Sequence, residues 1–349
     1  MDDDVIFQRM GSLGRITLNR PKALNALTRE MCVVIRLQLQ IWADAKDVEA
    51  VVIDGAGDRA FCAGGDVVAM RKAGLAGEPA YEEFFADEYR LNSLIHHFPK
   101  PYIALIDGIV MGGGVGLSVH GSHRIATEAT MFAMPETGLG LIPDVGGTYF
   151  MPRLPGESGM YLALTGARLK AADCLHLGVA NSFVPAQDLG KLIETLAGAH
   201  LPNGAAVDTI IGQFSGDAGA ADYPAISNEV DQFLAGTDVS AIIENLATGS
   251  AWAKQQSALL ETKSPLSLAL TMRAMKSGAS MSFNECMRQE FRIVSAIKSA
   301  KDFYEGVRAI LIDKDKSPKW DPASLDELTD ADLDRFFETP HWGDLVFGG

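Results

Sequence analysis

The sequence predicts an α/β fold, and three observations support this. Strand-like apolar segments alternate with helical patterns through about residue 185. Such alternation is typical of parallel strands that are joined by helical crossovers. Beyond about residue 200, helical patterns dominate. The composition, 47% hydrophobic and 21% charged over 349 residues, is sufficient for a sizeable buried core.

The first half of the chain contains the strand candidates, at residues 5–9, 15–19, 50–53, 102–106, 124–126 and 131–133. Thr28 is expected to cap a helix that runs to about residue 45, and Pro99 ends a helix over 81–97. Residues 57–65 are predicted as a loop before a short helix from about Asp66. Residues 108–116 are predicted as a glycine-rich loop before a helix at 117–120. Further helices are expected near Tyr149, at 158–165 and at 171–176.

The second half begins with a segment rich in Gly, Ala and Asp at 212–223, which is typical of a surface loop or linker. Ser264 before Pro265 predicts the start of a helix, with Pro at the first helical position. Ser282 and Glu285 have the spacing of a capping box, and a third helix is expected at 302–313. We therefore expect an α/β core over residues 1–200 and a mainly helical region over 201–349.

Charge and cysteine usage exclude several classes of function. Acids outnumber bases 45 to 30, and the net charge of −15 argues against nucleic-acid or anionic-membrane binding. The four cysteines (Cys32, Cys62, Cys174 and Cys286) have neither metal-finger nor redox spacing, which favours a reduced, intracellular protein. The acidic start resembles neither a signal nor a transit peptide, so a cytoplasmic location is expected. No apolar run reaches the ~18 residues of a membrane span.

Several common catalytic motifs are absent from the sequence. It contains no G-x-G-x-x-G, no P-loop, no H-E-x-x-H and no G-x-S-x-G. His96, His97, His120 and His123 are loosely clustered without metal-ligand spacing, and a structural or surface role is expected for each. Neither a metal nor a cofactor is therefore predicted.

Two carboxylates, Glu136 and Asp144, lie eight positions apart in the most informative segment of the chain, residues 134–147. Four glycines and Pro143 lie among or just after them, so the backbone can turn tightly and approach a ligand closely. Two neighbouring acids can be pushed to different pKa values, and one site can then supply both an acid and a base.

Two glycine loops precede predicted helix starts. They have the sequences A-F-C-A-G-G-D at residues 60–66 and M-G-G-G-V-G at residues 111–116. Backbone N–H groups at a helix start have no partner within the helix and can point at an oxygen atom. Two such donors converging on one point would form an oxyanion hole. Either loop alone is equally explained by glycines that permit a turn or close packing.

These loops resemble the two oxyanion-hole segments of the crotonase (enoyl-CoA hydratase/isomerase) superfamily. The resemblance implies a spiral of repeated ββα units with a helical C-terminal region. It also implies that the N–H groups of Gly65 and Gly113 bind the carbonyl oxygen of an acyl-CoA thioester. Residues 19–27 are similar to the family's N-terminal signature. Arg20 and Lys22 there are either near the CoA phosphates or simply solvated.

Within the superfamily, hydratases use two glutamates, and this chain matches only the second of them. Gly116 stands at the first position, where a residue without a side chain cannot act as acid or base. The second position matches Glu136, and an acid appears instead at Asp144. The segments 100–108, 113–121, 132–147 and 303–316 are similar to the branch that hydrolyses 3-hydroxyisobutyryl-CoA. That similarity implies that Glu136 and Asp144 are catalytic and that Glu88 and Gly113 contact the substrate.

The implied reaction is hydrolysis of 3-hydroxyisobutyryl-CoA to 3-hydroxyisobutyrate and CoA, a step of valine degradation. CoA is then part of the substrate and no cofactor is needed. The partner is the acyl-CoA, with no nucleic acid and no membrane, and homo-oligomerisation stays open. Two alternatives are an enoyl-CoA hydratase or isomerase of the same fold and a non-catalytic acyl-CoA-binding protein.

Overall fold

The computed structural model describes residues 4–347, which divide into two compact units. The first unit contains the chain up to Gly65, Arg90–Phe132 and Arg168–Tyr223. The second contains Asp66–Tyr89, Ala133–Ala167 and the chain from Pro224 onward. The two units are thus interleaved along the chain. The single boundary expected at residue 200 divides the chain differently and stays a prediction.

Ten strands are found among the described residues: β1 Val5–Met10, β2 Leu13–Leu18, β3 Ala50–Gly55, β4 Ala60–Cys62, β5 Tyr102–Ile106, β6 Ile109–Met111, β7 His123–Ala126, β8 Met131–Ala133, β9 Leu169–Lys170 and β10 Ser182–Phe183. All six predicted strands are confirmed. The predicted loops at 57–65 and 108–116 were wrong in part, because β4 and β6 lie within them. Both are three-residue strands beside runs of glycine, and that composition favours a loop.

The strands form two sheets in the first unit. The larger has the order β1-β2-β3-β5-β7-β10, and the smaller has the order β4-β6-β8-β9. Only β1 and β2 pair antiparallel in the larger sheet; its other neighbours are parallel. From β3 to β8, consecutive strands alternate between the sheets, and at least one helix follows each pair. This is the ββα repeat that was expected.

Sixteen α-helices are found among residues 4–347. They are α1 Arg29–Asp44, α2 Val67–Leu75, α3 Ala80–His96, α4 Gly113–Ser118, α5 Gly147–Phe150, α6 Ser158–Thr165, α7 Ala171–His176, α8 Leu189–Ala197, α9 Gly204–Gly212, α10 Ser227–Leu234, α11 Val239–Thr248, α12 Ala251–Leu260, α13 Pro265–Gly278, α14 Phe283–Ile297, α15 Asp302–Val307 and α16 Asp330–Asp334. The helix predicted over 302–313 changes to a π-helical turn at Arg308–Ile312. None of the described helices combines the length and the apolarity that crossing a membrane requires. The helical region after residue 200 is confirmed.

The predicted helix starts are confirmed by their caps. The Thr28 hydroxyl accepts the Met31 N–H at 3.3 Å at the start of α1. The Ser264 hydroxyl accepts the Ser267 N–H at 3.0 Å, and Pro265 is the first residue of α13. At α14, the Glu285 carboxylate accepts the Ser282 N–H at 2.8 Å. Each cap satisfies a backbone group that the helix itself leaves unpaired.

The core of the first unit lies against one face of the larger sheet. Apolar side chains of β2, β3, β5 and β7 pack there against α8 and α9. The cluster includes Leu13, Val52, Ile103, Leu105, Ile125, Leu192, Leu196, Val207 and Ile211, all nearly inaccessible to solvent. This layer holds the larger sheet, whose strands β3 and β5 are each followed along the chain by β4 and β6 of the smaller sheet.

Candidate active site

The two glycine loops lie side by side in the first unit. Strands β4 and β6 are parallel neighbours, with Ala60 paired to Ile109, so the loops leave the same edge of the smaller sheet. A Cβ built on Gly64 would lie 3.5 Å from the Met111 carbonyl oxygen and 3.9 Å from the Gly113 nitrogen. The structure therefore brings together the two segments expected to form an oxyanion hole.

Gly113 is the first residue of α4, earlier than the start predicted at residue 117. Gly112 has a φ of +48°, a conformation that glycine tolerates and that allows β6 to turn directly into the helix. Gly114 faces the Cys62 carbonyl so closely that an added Cβ would lie 2.2 Å from its oxygen. The glycines thus let the start of α4 pack against the end of β4, with the Gly113 N–H in the first turn, where helices leave N–H groups unpaired.

Gly65 lies in the first glycine loop, residues 60–66, and pairs in a short parallel bridge with Leu27. The bridging bond runs from the Leu27 N–H to the Gly64 carbonyl at 2.8 Å and does not use the Gly65 amide. Nearby, the Arg20 guanidinium donates to the Ala26 carbonyl at 2.6 Å. Arg20 thus supports the N-terminal loop.

The acidic residues expected in the site lie together in the second unit. Glu88 on α3, Glu136 in the 3₁₀ turn after β8, and Asp144 are 2%, 6% and 5% exposed, respectively. The charge of Asp144 raises the pKa of both Glu88 and Glu136, after the larger effect of burial. The second unit thus holds three buried carboxyl groups that interact electrostatically.

Burial and hydrogen bonding give these acids different proton affinities. The pKa of Glu136 is raised well above its usual value, whereas that of Asp144 is raised by burial only to about 6. The Tyr89 hydroxyl limits the rise by donating to Asp144 Oδ2 at 2.5 Å. Burial raises the pKa of Tyr89 as well, so this hydroxyl keeps its proton and remains a donor. The Tyr89 hydrogen bond therefore favours the ionised form of Asp144.

The turn that carries Asp144 is strained and tightly held. Val145 has a φ of +50°, which is unusual for a β-branched residue and costs about 1–3 kcal/mol. Gly146 follows with a φ of +87°. Glu290 on α14 accepts the Gly146 N–H at 2.8 Å and the N–H and hydroxyl of Thr148 at 2.9 and 2.6 Å. These bonds keep the turn in a conformation that it would not otherwise favour.

C-terminal helices of the second unit approach the same segment through glycines. A Cβ on Gly140 would lie 2.2–2.4 Å from the backbone of Asp302 and Phe303. A Cβ on Gly278, at the end of α13, would lie 2.1 Å from the Thr148 carbonyl oxygen. The acidic segment is therefore packed directly on backbone of α13 and α15.

Lys263 is the cation that faces Glu136. Its charge lowers the pKa of Glu136, and the charge of Glu136 in turn raises the pKa of Lys263, although burial lowers the latter overall. A Cβ on Gly138 would lie 3.5 Å from Lys263 Nζ, so the absence of a side chain at Gly138 leaves room for the ammonium group. Lys263 therefore favours the ionised form of Glu136.

The sequence interpretation did not identify Tyr89, Thr148, Lys263 or Glu290 as site residues. A signal was present for Glu290, which occupies the apolar stripe of α14 between Met287 and Val294. A charged residue in such a stripe is seldom buried without a specific partner. Its partners lie more than 140 positions away along the chain, so the pattern alone could not identify them.

A metal centre is not suggested by the side chains of residues 4–347, which contain no suitable group of three or more His, Cys, Asp or Glu. The buried acids instead have Glu88 Oε1 and Glu136 Oε2 without a hydrogen-bond partner among the described groups. Buried oxygens of this kind usually meet a partner, either water or a ligand. The cluster is therefore equipped to bind and to exchange protons with a small polar group.

Comparison with known proteins identifies the class. A family model described as enoyl-CoA hydratase/isomerase matches residues 13–337, and the chain belongs to this family. The expected membership and fold are thus confirmed.

The similar curated proteins are more specific. They include 3-hydroxyisobutyryl-CoA hydrolase, mitochondrial, from Xenopus tropicalis, which is 46% identical over 99% of this chain and 91% of its own length. The proteins of the same name from Danio rerio and Homo sapiens are 47% and 43% identical over 98% and 99% of this chain, and again 91% of their own lengths.

Two solved structures are also similar over nearly all of the chain. One is described as a carnitinyl-CoA dehydratase from Mycobacterium thermoresistibile, with a TM-score of 0.93, 38% identity and complete coverage of both chains. The other is described as an enoyl-CoA hydratase from Rhodobacter sphaeroides, with a TM-score of 0.90 and 38% identity. It covers 99% of this chain and 100% of its own.

The expected cytoplasmic location is wrong by the same comparison, because the hydrolases from all three organisms are named mitochondrial. That expectation relied on the acidic start of the sequence, and residues 1–3 lie outside the described part of the chain. A leader is a targeting segment separate from the folded domain. The residues that form the fold therefore do not indicate the cellular compartment.

Proposed function

We propose that this protein hydrolyses the thioester of 3-hydroxyisobutyryl-CoA to 3-hydroxyisobutyrate and free CoA. The observation that carries the proposal is the buried pair of Glu136 and Asp144. It lies in a chain that matches 3-hydroxyisobutyryl-CoA hydrolases over nearly its whole length. The reaction consumes water and the acyl-CoA and needs no cofactor. We propose that this step belongs to valine degradation.

The N–H groups of Gly65 and Gly113 are proposed to bind the thioester carbonyl oxygen. In the tetrahedral state this oxygen becomes negative, and each preorganised donor then lowers the barrier by ~3–4 kcal/mol. The adjacency of the two loops in the first unit supports this role. Gly113 would thereby also be a substrate contact.

Glu136 is proposed to attack the carbonyl carbon directly or to activate water as a general base. Direct attack gives a mixed anhydride and expels the CoA thiolate, and water then hydrolyses the anhydride. In the other route, water attacks as Glu136 takes its proton. Both routes need the ionised form of Glu136, which Lys263 favours.

Asp144 is proposed to orient water or to accept a hydrogen bond from the substrate hydroxyl. Its Oδ2 already accepts the Tyr89 hydroxyl, so Oδ1 is the oxygen assigned to the ligand. Glu88 is proposed as a further substrate contact, supported by its unpartnered Oε1. A buried acceptor that meets no hydroxyl is penalised. Isobutyryl-CoA, which lacks that group, should therefore be hydrolysed more slowly, by up to ~10⁴-fold.

The test is a panel of acyl-CoAs with detection of free thiol. The four cysteines are buried, so the folded enzyme itself should contribute little thiol signal. We expect Glu136→Gln and Asp144→Asn each to reduce turnover by ~10²–10⁴-fold with an unchanged melting temperature. Near-wild-type hydrolysis by either variant would remove that residue from the mechanism.

The panel also separates the rival functions. Hydration of crotonyl-CoA without thiol release would favour an enoyl-CoA hydratase, although Gly116 has no side chain to serve as the second acid of that reaction. Tight CoA binding without turnover of any panel member would favour a non-catalytic binding protein.

A further inference from the structure

Glu290 is a buried acid to which the proposed mechanism gives no role. It lies in the middle of α14 with 0% exposure, among Met287, Phe291 and Val294. An ionised carboxylate in such surroundings is unfavourable unless hydrogen bonds compensate for the lost water. Its presence therefore calls for an explanation beyond packing.

Among residues 4–347, the Glu290 side chain forms its hydrogen bonds with the turn that follows Asp144. Oε2 accepts the Gly146 N–H, while Oε1 accepts both the N–H and the hydroxyl of Thr148. Between Asp144 and Gly146 lies Val145, with its positive φ. The acceptor pair thus stabilises the part of the turn whose backbone is strained.

The Asp144 carboxyl group itself accepts a hydrogen bond from the Tyr89 hydroxyl. Its position therefore depends on two contacts, one with the side chain and one with the backbone that follows it. We propose that Glu290 is a positioning residue for Asp144: it holds residues 144–148 so that the Asp144 carboxyl stays on the Tyr89 hydroxyl. This inference rests on the proposed function, in which Asp144 contacts water or substrate.

The three hydrogen bonds require two acceptor oxygens at this position. Both oxygens of Glu290 accept, whereas glutamine has one acceptor oxygen and one NH₂ donor. In Glu290→Gln, the amide oxygen can still accept from Thr148. The NH₂ group then faces the Gly146 N–H, and since both are donors, that hydrogen bond is lost. The titratable groups that face Glu290 are Asp144, Tyr89 and Cys286.

The first experiment compares Glu290→Gln with Glu285→Gln, the same change at an exposed residue of the same helix. We expect Glu290→Gln to lower kcat by on the order of 10- to 100-fold, as for a misplacement of ~1 Å, with a smaller change in KM. The acid limb of the kcat/KM profile should move to higher pH, because Asp144 would lose the Tyr89 hydrogen bond. Glu285→Gln should retain wild-type kinetics. Wild-type kcat in Glu290→Gln would overturn the proposal.

The second experiment is a double-mutant cycle with Asp144→Asn. If Glu290 acts through Asp144, adding Glu290→Gln to Asp144→Asn should change kcat by less than about twofold. An equal loss of kcat in both backgrounds, with no shift of the acid limb in the single variant, would overturn the proposal and leave Glu290 a structural residue.

Thr148→Val removes one of the three donors and is nearly isosteric. Thr148→Val should lower kcat less than Glu290→Gln does and shift the acid limb in the same direction. It provides the test if Glu290→Gln does not fold.

The cycle also distinguishes the two proposals from each other. If Asp144→Asn alone hydrolyses the substrate at the wild-type rate, the proposed role of Asp144 fails, and that of Glu290 fails with it. If Asp144→Asn is defective but the two losses are additive, only the role of Glu290 fails.

Discussion

The hydrogen bond from Tyr89 to Asp144 makes a specific prediction about pH dependence. Tyr89→Phe removes the hydroxyl that donates at 2.5 Å to Asp144 Oδ2 and keeps the aromatic ring in place. The bond stabilises the ionised carboxylate and so lowers the pKa of Asp144. Without it, the pKa of Asp144 should rise above its present value of about 6.

The size of the shift follows from the kind of bond that is lost. A hydrogen bond to a charged group contributes ~1.5–3 kcal/mol, and one pH unit corresponds to about 1.4 kcal/mol. Since both groups are buried, the pKa of Asp144 should rise by roughly one to two pH units. If ionised Asp144 is required, activity at pH 7 should fall and recover toward pH 9.

The assay is thiol release from 3-hydroxyisobutyryl-CoA between pH 5 and pH 9. Tyr81→Phe is the matched control, because Tyr81 is a buried tyrosine of the same helix α3 whose hydroxyl donates to the Val294 carbonyl at 3.0 Å. Both variants should lose a similar, small amount of stability. Only Tyr89→Phe should move the acid limb of the kcat/KM profile to higher pH. An unmoved limb in Tyr89→Phe, or an equal shift in both variants, would refute the assignment of that limb to Asp144.

Three further predictions concern other contacts. Lys263→Met should raise the pKa of Glu136 and reduce turnover at neutral pH, whereas Lys263→Arg should retain most of it; a pH–rate profile checks this. Because the pKa of Glu290 is raised to about 8, its contribution to stability is full below about pH 4.5 and is lost as pH rises through 8. Glu290→Gln should therefore flatten the fall of the melting temperature between pH 5 and 9. Gly140→Ala should prevent folding or lower the melting temperature sharply. Gly178→Ala, which has a similar positive φ but open space around it, should cost only about 1–2 kcal/mol in a denaturant titration.

The fold could be predicted from the sequence wherever its determinants are local. Thr28, Ser264 and Ser282 each act within three residues of the helix that they begin. Short pattern rules are therefore sufficient to find them. Strands such as β9 exist only because a neighbouring strand pairs with them, and two residues contain too little pattern to reveal that pairing.

The candidate site shows the same limit. Glu136 and Asp144 could be chosen because they lie close together among glycines. Tyr89 and Glu290 could not, since their hydrogen bonds to the acidic segment span 55 to 144 positions. The raised pKa of Glu136 could not be predicted either, because it depends on burial and on Lys263, which only the fold brings to Glu136.

Glu290 lies far along the chain from the turn at residues 144–148 that it holds, and this distance has a consequence for biosynthesis. A growing polypeptide contains Glu136 and Asp144 long before α14, and the helices that approach Gly140 and Thr148 are made just before and after it. An incomplete chain therefore has both reactive carboxyl groups but cannot hold them in place. Catalytic competence should arise only after α14 and α15 have been made, and products of termination before α14 should be inactive.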